Sequence, residues 1–243
     1  MADPGFELLY ENGPCLVLGK PPGLLTQAPP GVDSLEARLH AFLIRRAGGV
    51  ARSGGAAPDA VKMVHRLDRP ASGALLVGLS RKAVRKLARQ FEKRYVEKRY
   101  WVCVAGLPEP PDGSWEDHVR KIPGEPRAEV VAADRPDARR AVLHYRTLRS
   151  LALPAGAASW LEVTLETGRT HQIRVQAAGR GHAVLGDSQY GSTHPFGEQH
   201  ADERLRAIAL HARLLGFRDP TTERDQTVTA APPAAWAAFG PLP

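Results

Sequence analysis

A single carboxylate lies between two arginines in residues 64–73. This segment reads Val-His-Arg-Leu-Asp-Arg-Pro-Ala-Ser-Gly, so Asp68 is flanked by Arg66 and Arg69 on a turn favoured by the proline and the glycine. Neighbouring guanidinium groups keep a carboxylate ionised at neutral pH, which suits a nucleophile better than a general acid. A surface turn with a salt-bridged aspartate is the simpler interpretation of these residues alone, because short motifs often arise by chance.

A second candidate cluster lies at residues 166–175. Four charged or polar side chains are packed into six positions of it: Arg169, His171, Gln172 and Arg174. The hydroxyl of Thr170 is predicted to cap a helix over 171–178 that ends at Gly179. Helical spacing would put Thr170 and Arg174 on the same side, and the amides of the first turn could bind an anion beside the arginines. An ordinary capped helix with solvated polar residues is the alternative.

Two amphipathic helices and several strands are predicted to position these clusters. Ser34 and Ser80 each precede an apolar repeat of helical period, and both are predicted N-caps, the first for a helix over 35–46. Apolar or alternating stretches predict strands at residues 15–18, 74–79, 99–105, 141–148, 161–167 and 208–214. Because strands and helices do not alternate regularly, the predicted fold class is α+β.

The composition is that of a globular protein with a basic surface. The chain has 243 residues, of which 43% are hydrophobic and 24% charged, and this excludes a mainly disordered, collagen-like or coiled-coil protein. The formal charge is +7, and residues 81–99 contain nine lysines and arginines against two acids. A polyanionic partner is favoured, although a solvated helix face is the commoner explanation of such a segment. Cys15 and Cys103 cannot form a disulfide framework, which fits a reducing compartment.

Several common sites are absent from the sequence. No GxGxxG or P-loop occurs, since residues 19–23 contain a lysine and glycines at too short a spacing. His194 and His200 match no metal-ligand spacing, so no metal is predicted. The first residues do not form a secretory signal. The charge-free stretch at 226–243 is broken by prolines, and it is predicted to be a tail lying across the surface rather than a membrane span.

Together the two clusters resemble the signature segments of the RluA-type pseudouridine synthases. The resemblance is carried by residues 65–69 with Ser72 and Gly73, and by residues 168–174. Four shorter segments support it in the family's order: residues 20–24, 97–100, 186–191 and 210–212. The resemblance covers about residues 8–220. It implies an α+β fold with a mixed, mainly antiparallel sheet, flanking helices and a central RNA-binding cleft.

The resemblance implies a role for particular residues. Asp68 would be the catalytic aspartate that attacks the target uridine, Arg174 its basic partner, and Tyr100 the ring that stacks on the uracil. Arg66 would fill the gap left by a flipped nucleotide, and Leu210 would pack against the base. The other residues implied to bind substrate are His65, Arg69, Arg169, Thr170, His171, Gln172 and Ile173.

The resemblance also implies a partner and an organisation. The substrate would be a tRNA or rRNA stem-loop, and the protein would be a cytoplasmic monomer without a cofactor or a membrane association. Residues 1–243 are predicted to be a single catalytic domain without an amino-terminal S4 domain, with a flexible loop at 48–60 and a Pro/Ala-rich tail at 221–243. The chain departs from the family at Ala71, where Thr is usual, and at residues 218–220, where His-Pro is usual; neither departure falls on the chemistry.

Two other functions fit parts of the sequence. A catalytically silent RNA-binding protein would keep the fold and the basic segment, but binding alone does not require Asp68, Tyr100 and Arg174 together. A serine hydrolase could use Ser72 or Ser80 with a nearby histidine and aspartate, but no GxSxG elbow is present. A pseudouridine synthase is therefore the favoured prediction.

Overall fold

This computed structural model describes residues 3–48 and 61–243. In chain order, the strands are β1 (Glu7–Asn12), β2 (Cys15–Lys20), β3 (Lys62–Met63), β4 (Ser72–Gly78), β5 (Glu97–Ala105), β6 (Asp112–Lys121), β7 (Ala128–Val131), β8 (Arg139–Leu153), β9 (Gly156–Leu165), β10 (Leu210–Arg218) and β11 (Asp225–Thr229). The helices are α1 (Leu35–Arg46), α2 (Arg81–Glu92) and α3 (Gln172–Ala178). The predicted α+β class with mainly antiparallel pairing is confirmed. Within the described ranges, no helix has the length and apolar character needed to cross a bilayer.

The chain forms two compact units, and each is built from separate stretches of sequence. Unit 1 comprises Met1–Lys98 and Ala212–Pro233, and unit 2 comprises Arg99–His211 and Ala234–Pro243. The sequence predicted one domain because its composition does not change at these boundaries. Apart from Gly48, the predicted flexible loop at 48–60 lies outside the described residues.

Unit 1 is a sheet flanked by the two predicted helices. Its strand order is β1-β2-β4-β10, with β3 paired to β4 and β11 paired to β10. The side chains of Ser34 and Ser80 accept hydrogen bonds from the amides of Ala37 and Ala83, both at 3.2 Å, and so cap α1 and α2 as predicted. Leu87 of α2 packs into the core that the sheet forms. The helix therefore has one face fixed against the sheet.

A glycine is required at position 73 in β4 because the backbone of β10 lies very close to it. The φ of +118° at Gly73 is unfavourable for residues with a side chain, and a Cβ here would overlap the amide nitrogen and carbonyl oxygen of Ala212 in β10. We expect Gly73→Ala to lower the free energy of unfolding by about 3 kcal/mol or more, because strain and overlap add. Urea unfolding would measure this loss.

Gly31 provides the matched control for that substitution. Its φ is +83°, but nothing lies within 4 Å of the position that a Cβ would occupy. Gly31→Ala should therefore cost only the backbone strain, about 1 kcal/mol. Equal losses in the two variants would show that the approach of β4 to β10 does not require a glycine.

Unit 2 is built on antiparallel strands that support one short helix. Its strand order is β5-β9-β8-β6-β7. Val175 of α3 packs with Val119, Ala128 and Ala141 from strands β6, β7 and β8. Six of the seven residues of α3 are buried, including the polar Gln172, Arg174 and Gln176. The helix is therefore embedded in unit 2, unlike a solvated surface helix.

The last residues are not the surface tail that the sequence predicted. Residues 225–229 form β11, and Ala234–Phe239 form a short 3-10 helix. Trp236 is 1% exposed, and its ring centroid lies 5.2 Å from that of Trp160 and 5.6 Å from that of Phe239. The prediction was wrong because prolines exclude a long helix but do not stop two aromatic side chains from entering a core.

Candidate active site

The loop that carries Asp68 is attached to a buried lysine. The Nζ of Lys20 donates to the carbonyl oxygens of Pro21 (2.8 Å), Leu24 (2.7 Å) and Arg69 (3.1 Å). Three acceptors match the three N–H groups of an ammonium ion. Burial lowers the pKa of Lys20 to about 7, and the negative charge of Asp68 acts in the opposite direction. The charge of Asp68 and the three hydrogen bonds therefore favour the protonated form of Lys20, against the effect of its burial.

Backbone hydrogen bonds fix the residues on both sides of Asp68. The hydroxyl of Thr26 donates to the carbonyl of Leu67 at 2.9 Å and accepts from the Leu67 amide at 3.2 Å. The amide of Gly23 donates to the carbonyl of Arg69, and Arg69 Nε donates to the carbonyl of Gly23, both at 2.9 Å. The Asp68 side chain itself is half-buried. The loop therefore presents one carboxylate from a backbone that is bound at its two neighbours.

His65 is bonded within unit 1 as a neutral ring. Its Nε2 accepts the amide hydrogen of Leu76 at 2.9 Å, and its ring stacks on Phe91 with the centroids 4.7 Å apart. Burial, and then the positive charge of Lys98, lower the pKa of His65 to about 3. These contacts connect the start of the Asp68 loop to β4 and α2. Substrate contacts by His65, and by the exposed Arg66, stay predictions.

The pKa of His65 makes stability depend on pH. Between about pH 3 and pH 6.5 the unfolded chain binds a proton at this ring and the folded protein does not, so stability falls as the pH is lowered. His65→Gln removes that titration. We expect the stability advantage of the wild type over the variant, measured by urea unfolding, to shrink by on the order of 3 kcal/mol between pH 7 and pH 4. A pH-independent difference would contradict the assignment.

Arg174 forms a buried ion pair within unit 2. Its Nε lies 2.6 Å from Asp187 Oδ2 and its Nη2 lies 2.8 Å from Asp187 Oδ1, while Nη2 also lies 2.7 Å from Gln189 Oε1. The relative exposures of the two charged side chains are 3% and 1%. A bidentate pair removed from water fixes the plane of the guanidinium group.

Tyr190 lies against the same guanidinium group. The Cζ of Arg174 lies 4.8 Å from the centroid of the tyrosine ring, a cation–π contact. The Tyr190 hydroxyl accepts the amide hydrogen of Ala128 at 2.8 Å and lies 3.0 Å from His171 Nδ1. Asp187, Gln189 and Tyr190 therefore enclose Arg174 on three sides. We call this group the Arg174 enclosure.

The side chain of Gln172, the first residue of α3, binds the segment before the helix and strand β8, and Thr170 does not cap the helix. The Gln172 Oε1 accepts from the Thr167 hydroxyl at 2.8 Å and from the Arg169 amide at 2.9 Å, and Nε2 donates to the Val142 carbonyl at 3.0 Å. The prediction for Thr170 was wrong because the helix begins one residue later, after His171. His171 has a left-handed backbone with φ of 51°, and no side chain caps the helix from that position.

The C-terminal end of α3 also differs from the prediction. Gly179 follows the helix as expected, but its backbone is right-handed, with φ of −60°. The left-handed conformation that glycine favours occurs two residues later, at Gly181, where φ is 79°. The helix therefore continues into one more turn-like segment before the chain reverses.

The remaining predicted residues of the site are distributed along unit 2. Ile173 is buried in α3, and Arg169 is exposed and donates from Nε to the carbonyl of Arg140 at 3.0 Å. Tyr100 is buried in β5, paired with Val163 of β9, and Leu210 is the buried first residue of β10. Asp68 belongs to unit 1, and its predicted pairing with Arg174 stays a prediction.

Two residues that fix the site were not recognised as such in the sequence. Lys20 and Asp187 both fall in the short segments that supported the family resemblance, but neither received a role. Their signal was weak because each is a single charged residue among apolar and small neighbours. The contact of Lys20 with the Asp68 loop, at Arg69, spans 49 residues, and that of Asp187 with Arg174 spans 13, so both are visible only in the folded protein.

The folded chain and its two charged clusters match one family of RNA-modifying enzymes. Residues 14–179 match the family described as RNA pseudouridylate synthase. The chain belongs to this family, as an RluA-type member. Its members convert uridine in RNA to pseudouridine.

Two bacterial relatives show the range of similarity. The chain is 34% identical over 236 residues to the ribosomal large subunit pseudouridine synthase D of Zymomonas mobilis. This alignment covers 93% of the chain and 69% of the relative. The chain is 28% identical over 237 residues to tRNA pseudouridine synthase C of Haemophilus influenzae, covering 95% and 94%. An RNA pseudouridine synthase of Synechocystis is 33% identical, and the chain spans 66% of its length.

A solved structure confirms the fold. The human RNA pseudouridylate synthase domain containing 4 superposes with a TM-score of 0.72 at 21% sequence identity, covering 96% of this chain and 92% of that one. The predicted pseudouridine synthase fold is therefore confirmed.

Proposed function

We propose that this protein isomerises specific uridines of tRNA or rRNA to pseudouridine. The reaction breaks the bond between N1 of uracil and C1′ of the ribose, turns the base and joins C5 to C1′. The atoms of substrate and product are the same, so the reaction needs neither a redox partner nor an energy source. A proton leaves C5 and one is gained at N1, and these transfers are the acid–base work that the site must perform.

In this proposal, Asp68 is the nucleophile. Its carboxylate attacks the uridine at C1′ or C6, or removes the 2′ proton to form a glycal; the three routes share the same first requirement of an ionised carboxylate. Arg174 pairs with that carboxylate. Tyr100 stacks on the uracil and assists proton transfer at C5, and Leu210 packs against the base.

The target nucleotide must leave the helix of an RNA stem before Asp68 can reach it. Extrusion costs a few kcal/mol of unstacking and unpairing. Arg66 is exposed at the edge of the Asp68 loop, where its guanidinium plane can stack in the vacated position. We propose that the substrate is a stem-loop of tRNA or rRNA and that the enzyme works as a cytoplasmic monomer.

The attachment of the Asp68 loop is the observation that carries the proposal. A nucleophile must be presented in a defined orientation, and Lys20, Thr26 and Gly23 bind the backbone on both sides of Asp68. A surface turn with a salt-bridged aspartate would need none of these buried contacts. The Arg174 enclosure supports the proposal in the same way, because a buried guanidinium group is restricted to one orientation.

Tritium release from RNA labelled at C5 of uridine tests the proposal. The protein should release tritium from total tRNA or from rRNA of a strain that lacks its gene. Carbodiimide modification followed by primer extension would then locate the product. Tight RNA binding without tritium release, and an unchanged pseudouridine map after gene loss, would favour a protein that only binds RNA.

A further inference from the structure

Helix α2 presents a row of cations outside the proposed active site. Ala83 and Leu87 are buried, so the orientation of the helix is fixed and its outer face is defined. The outer face exposes basic side chains, and the chain after the helix adds the exposed cations Lys93 and Arg94 and an exposed aromatic ring. We call this surface the α2 ridge, formed by Arg81, Lys82, Arg85, Arg89, Lys93 and Tyr95.

The spacing of the arginines suits an extended polyanion. Arg81, Arg85 and Arg89 are four residues apart, so they follow one side of the helix at intervals of about 6 Å. Lys86 is engaged instead in an ion pair of 2.8 Å with Glu223 and is left out of the ridge. A row of evenly spaced guanidinium groups matches a chain of phosphates better than it matches one compact anion.

Tyr95 is displayed at the end of this row. Its side chain is among the large apolar groups exposed at the surface, at 71%. The backbone beneath it is fixed, because its amide donates to the carbonyl of Gln90 at 2.8 Å and the next residue, Val96, is buried. Lys93 Nζ lies 6.0 Å from the ring centroid. An exposed ring on a fixed backbone beside cations is the usual form of a platform on which a nucleobase stacks.

The ridge borders a groove with a volume of about 760 Å³. Arg89 and Lys93 line its helix side, and the side of β10 and β11 carries both acidic and basic groups, among them Asp225 and Arg218. Because Glu223 is paired with Lys86, the row of like charges lies along the ridge and not in the groove. We therefore expect phosphates along the ridge, while an uncharged base can enter the groove.

We propose that the α2 ridge binds a single-stranded segment of RNA that lies outside the target nucleotide. Its phosphates lie along Arg81, Arg85 and Arg89, and one base stacks on Tyr95. The segment is single-stranded because a paired base cannot present its face to an aromatic side chain. The inference rests on the proposed function only in that the substrate is RNA.

Binding of a uridine-free RNA tests the ridge separately from catalysis. The probe is a fluorescein-labelled oligoadenylate of about 12 nucleotides, which cannot undergo the reaction, and binding is followed by anisotropy over a range of salt concentrations. We expect Tyr95→Ala to weaken binding about tenfold and Tyr95→Phe to restore it, because phenylalanine keeps the stacking face. Arg85→Gln should weaken binding and reduce the slope of log affinity against log salt by about one.

Arg45 is the matched control for Arg85. It is an exposed arginine on the other helix of unit 1, and Arg45→Gln should leave the affinity for oligoadenylate unchanged. Equal effects of the Arg45 and Arg85 variants would overturn the proposal, because the binding would then depend on net charge alone. So would an unchanged affinity in Tyr95→Ala.

Two further outcomes separate this inference from others. An oligoglutamate of the same charge should bind at least about tenfold more weakly than oligoadenylate, and equal binding would indicate an acidic protein partner instead. If the wild type binds oligoadenylate through Tyr95 but releases no tritium from any RNA, the proposed function is wrong and the proposal that the α2 ridge binds RNA stands. If the wild type releases tritium while the ridge variants bind oligoadenylate normally, only the proposal for the α2 ridge is wrong.

Discussion

Asp68→Asn is expected to abolish pseudouridine formation while leaving the folded protein intact. Asparagine has the shape of aspartate but no negative charge and no nucleophilic oxygen of comparable strength. Loss of a nucleophile lowers turnover by several orders of magnitude in enzymes of other classes, so we expect a reduction of at least about 10³-fold. Single-turnover tritium release from RNA labelled at C5 of uridine would measure it.

Two controls distinguish a chemical defect from a structural one. Asp112→Asn changes an exposed carboxylate at the start of β6 and should leave the rate unchanged. Asp68→Asn should also remain folded and still bind RNA, because Lys20 and Thr26 hold the backbone of the loop on both sides of residue 68. A variant that reacts within about tenfold of the wild type would remove Asp68 from the role of nucleophile.

Asp187→Asn is expected to cause a large loss of stability. The substitution leaves the guanidinium of Arg174 buried without its counter-charge, which costs about 3 to 5 kcal/mol for a pair at this depth. A loss of that size corresponds to a fall of about 10 °C in melting temperature for a protein of this length. Differential scanning calorimetry would measure it.

An exposed pair with the same geometry provides the control. Arg140 donates from Nε to Glu116 Oε1 at 2.6 Å and from Nη2 to Oε2 at 3.0 Å, so the pair is bidentate like that of Arg174. Glu116→Gln should leave the melting temperature unchanged, because water and salt screen exposed charges. If both substitutions lowered the melting temperature equally, burial would not be the cause.

The two long helices could be predicted from the sequence because their signals are local. A serine precedes each apolar repeat, and the structure begins α1 at Leu35 and α2 at Arg81, directly after Ser34 and Ser80. The capping hydrogen bond spans three residues, and the buried residues of each helix lie within seven residues of the cap. The physical cause and the sequence pattern therefore cover the same short range.

The start of α3 could not be predicted for the opposite reason. Thr170 has the right residue type for a cap, but the polar groups here are fixed by Val142, which lies 30 residues earlier in β8. The strand accepts from Gln172, and His171 is left in a conformation that non-glycine residues rarely adopt. A partner from a distant strand outweighed the local preference.

The ion pair of Arg174 is another contact that the sequence did not reveal. The resemblance implied a partner for Arg174 in Asp68, and the structure adds Asp187 from the segment after α3. Buried polar networks of this kind depend on three-dimensional proximity, which no residue spacing encodes. The burial of Trp236 in unit 2 was missed for the same reason.

The interleaving of the two units along the chain determines when each can fold during synthesis on the ribosome. The sheet of unit 1 lacks β10 and β11 until residues 210–229 have been made, although its first helix is complete by Arg46. Unit 2 lacks Trp236 and Phe239 until the very last of its residues emerge. Each unit therefore lacks part of its core until its later segment has been synthesised, and the apolar strands made before that segment have no complete packing partner in the meantime.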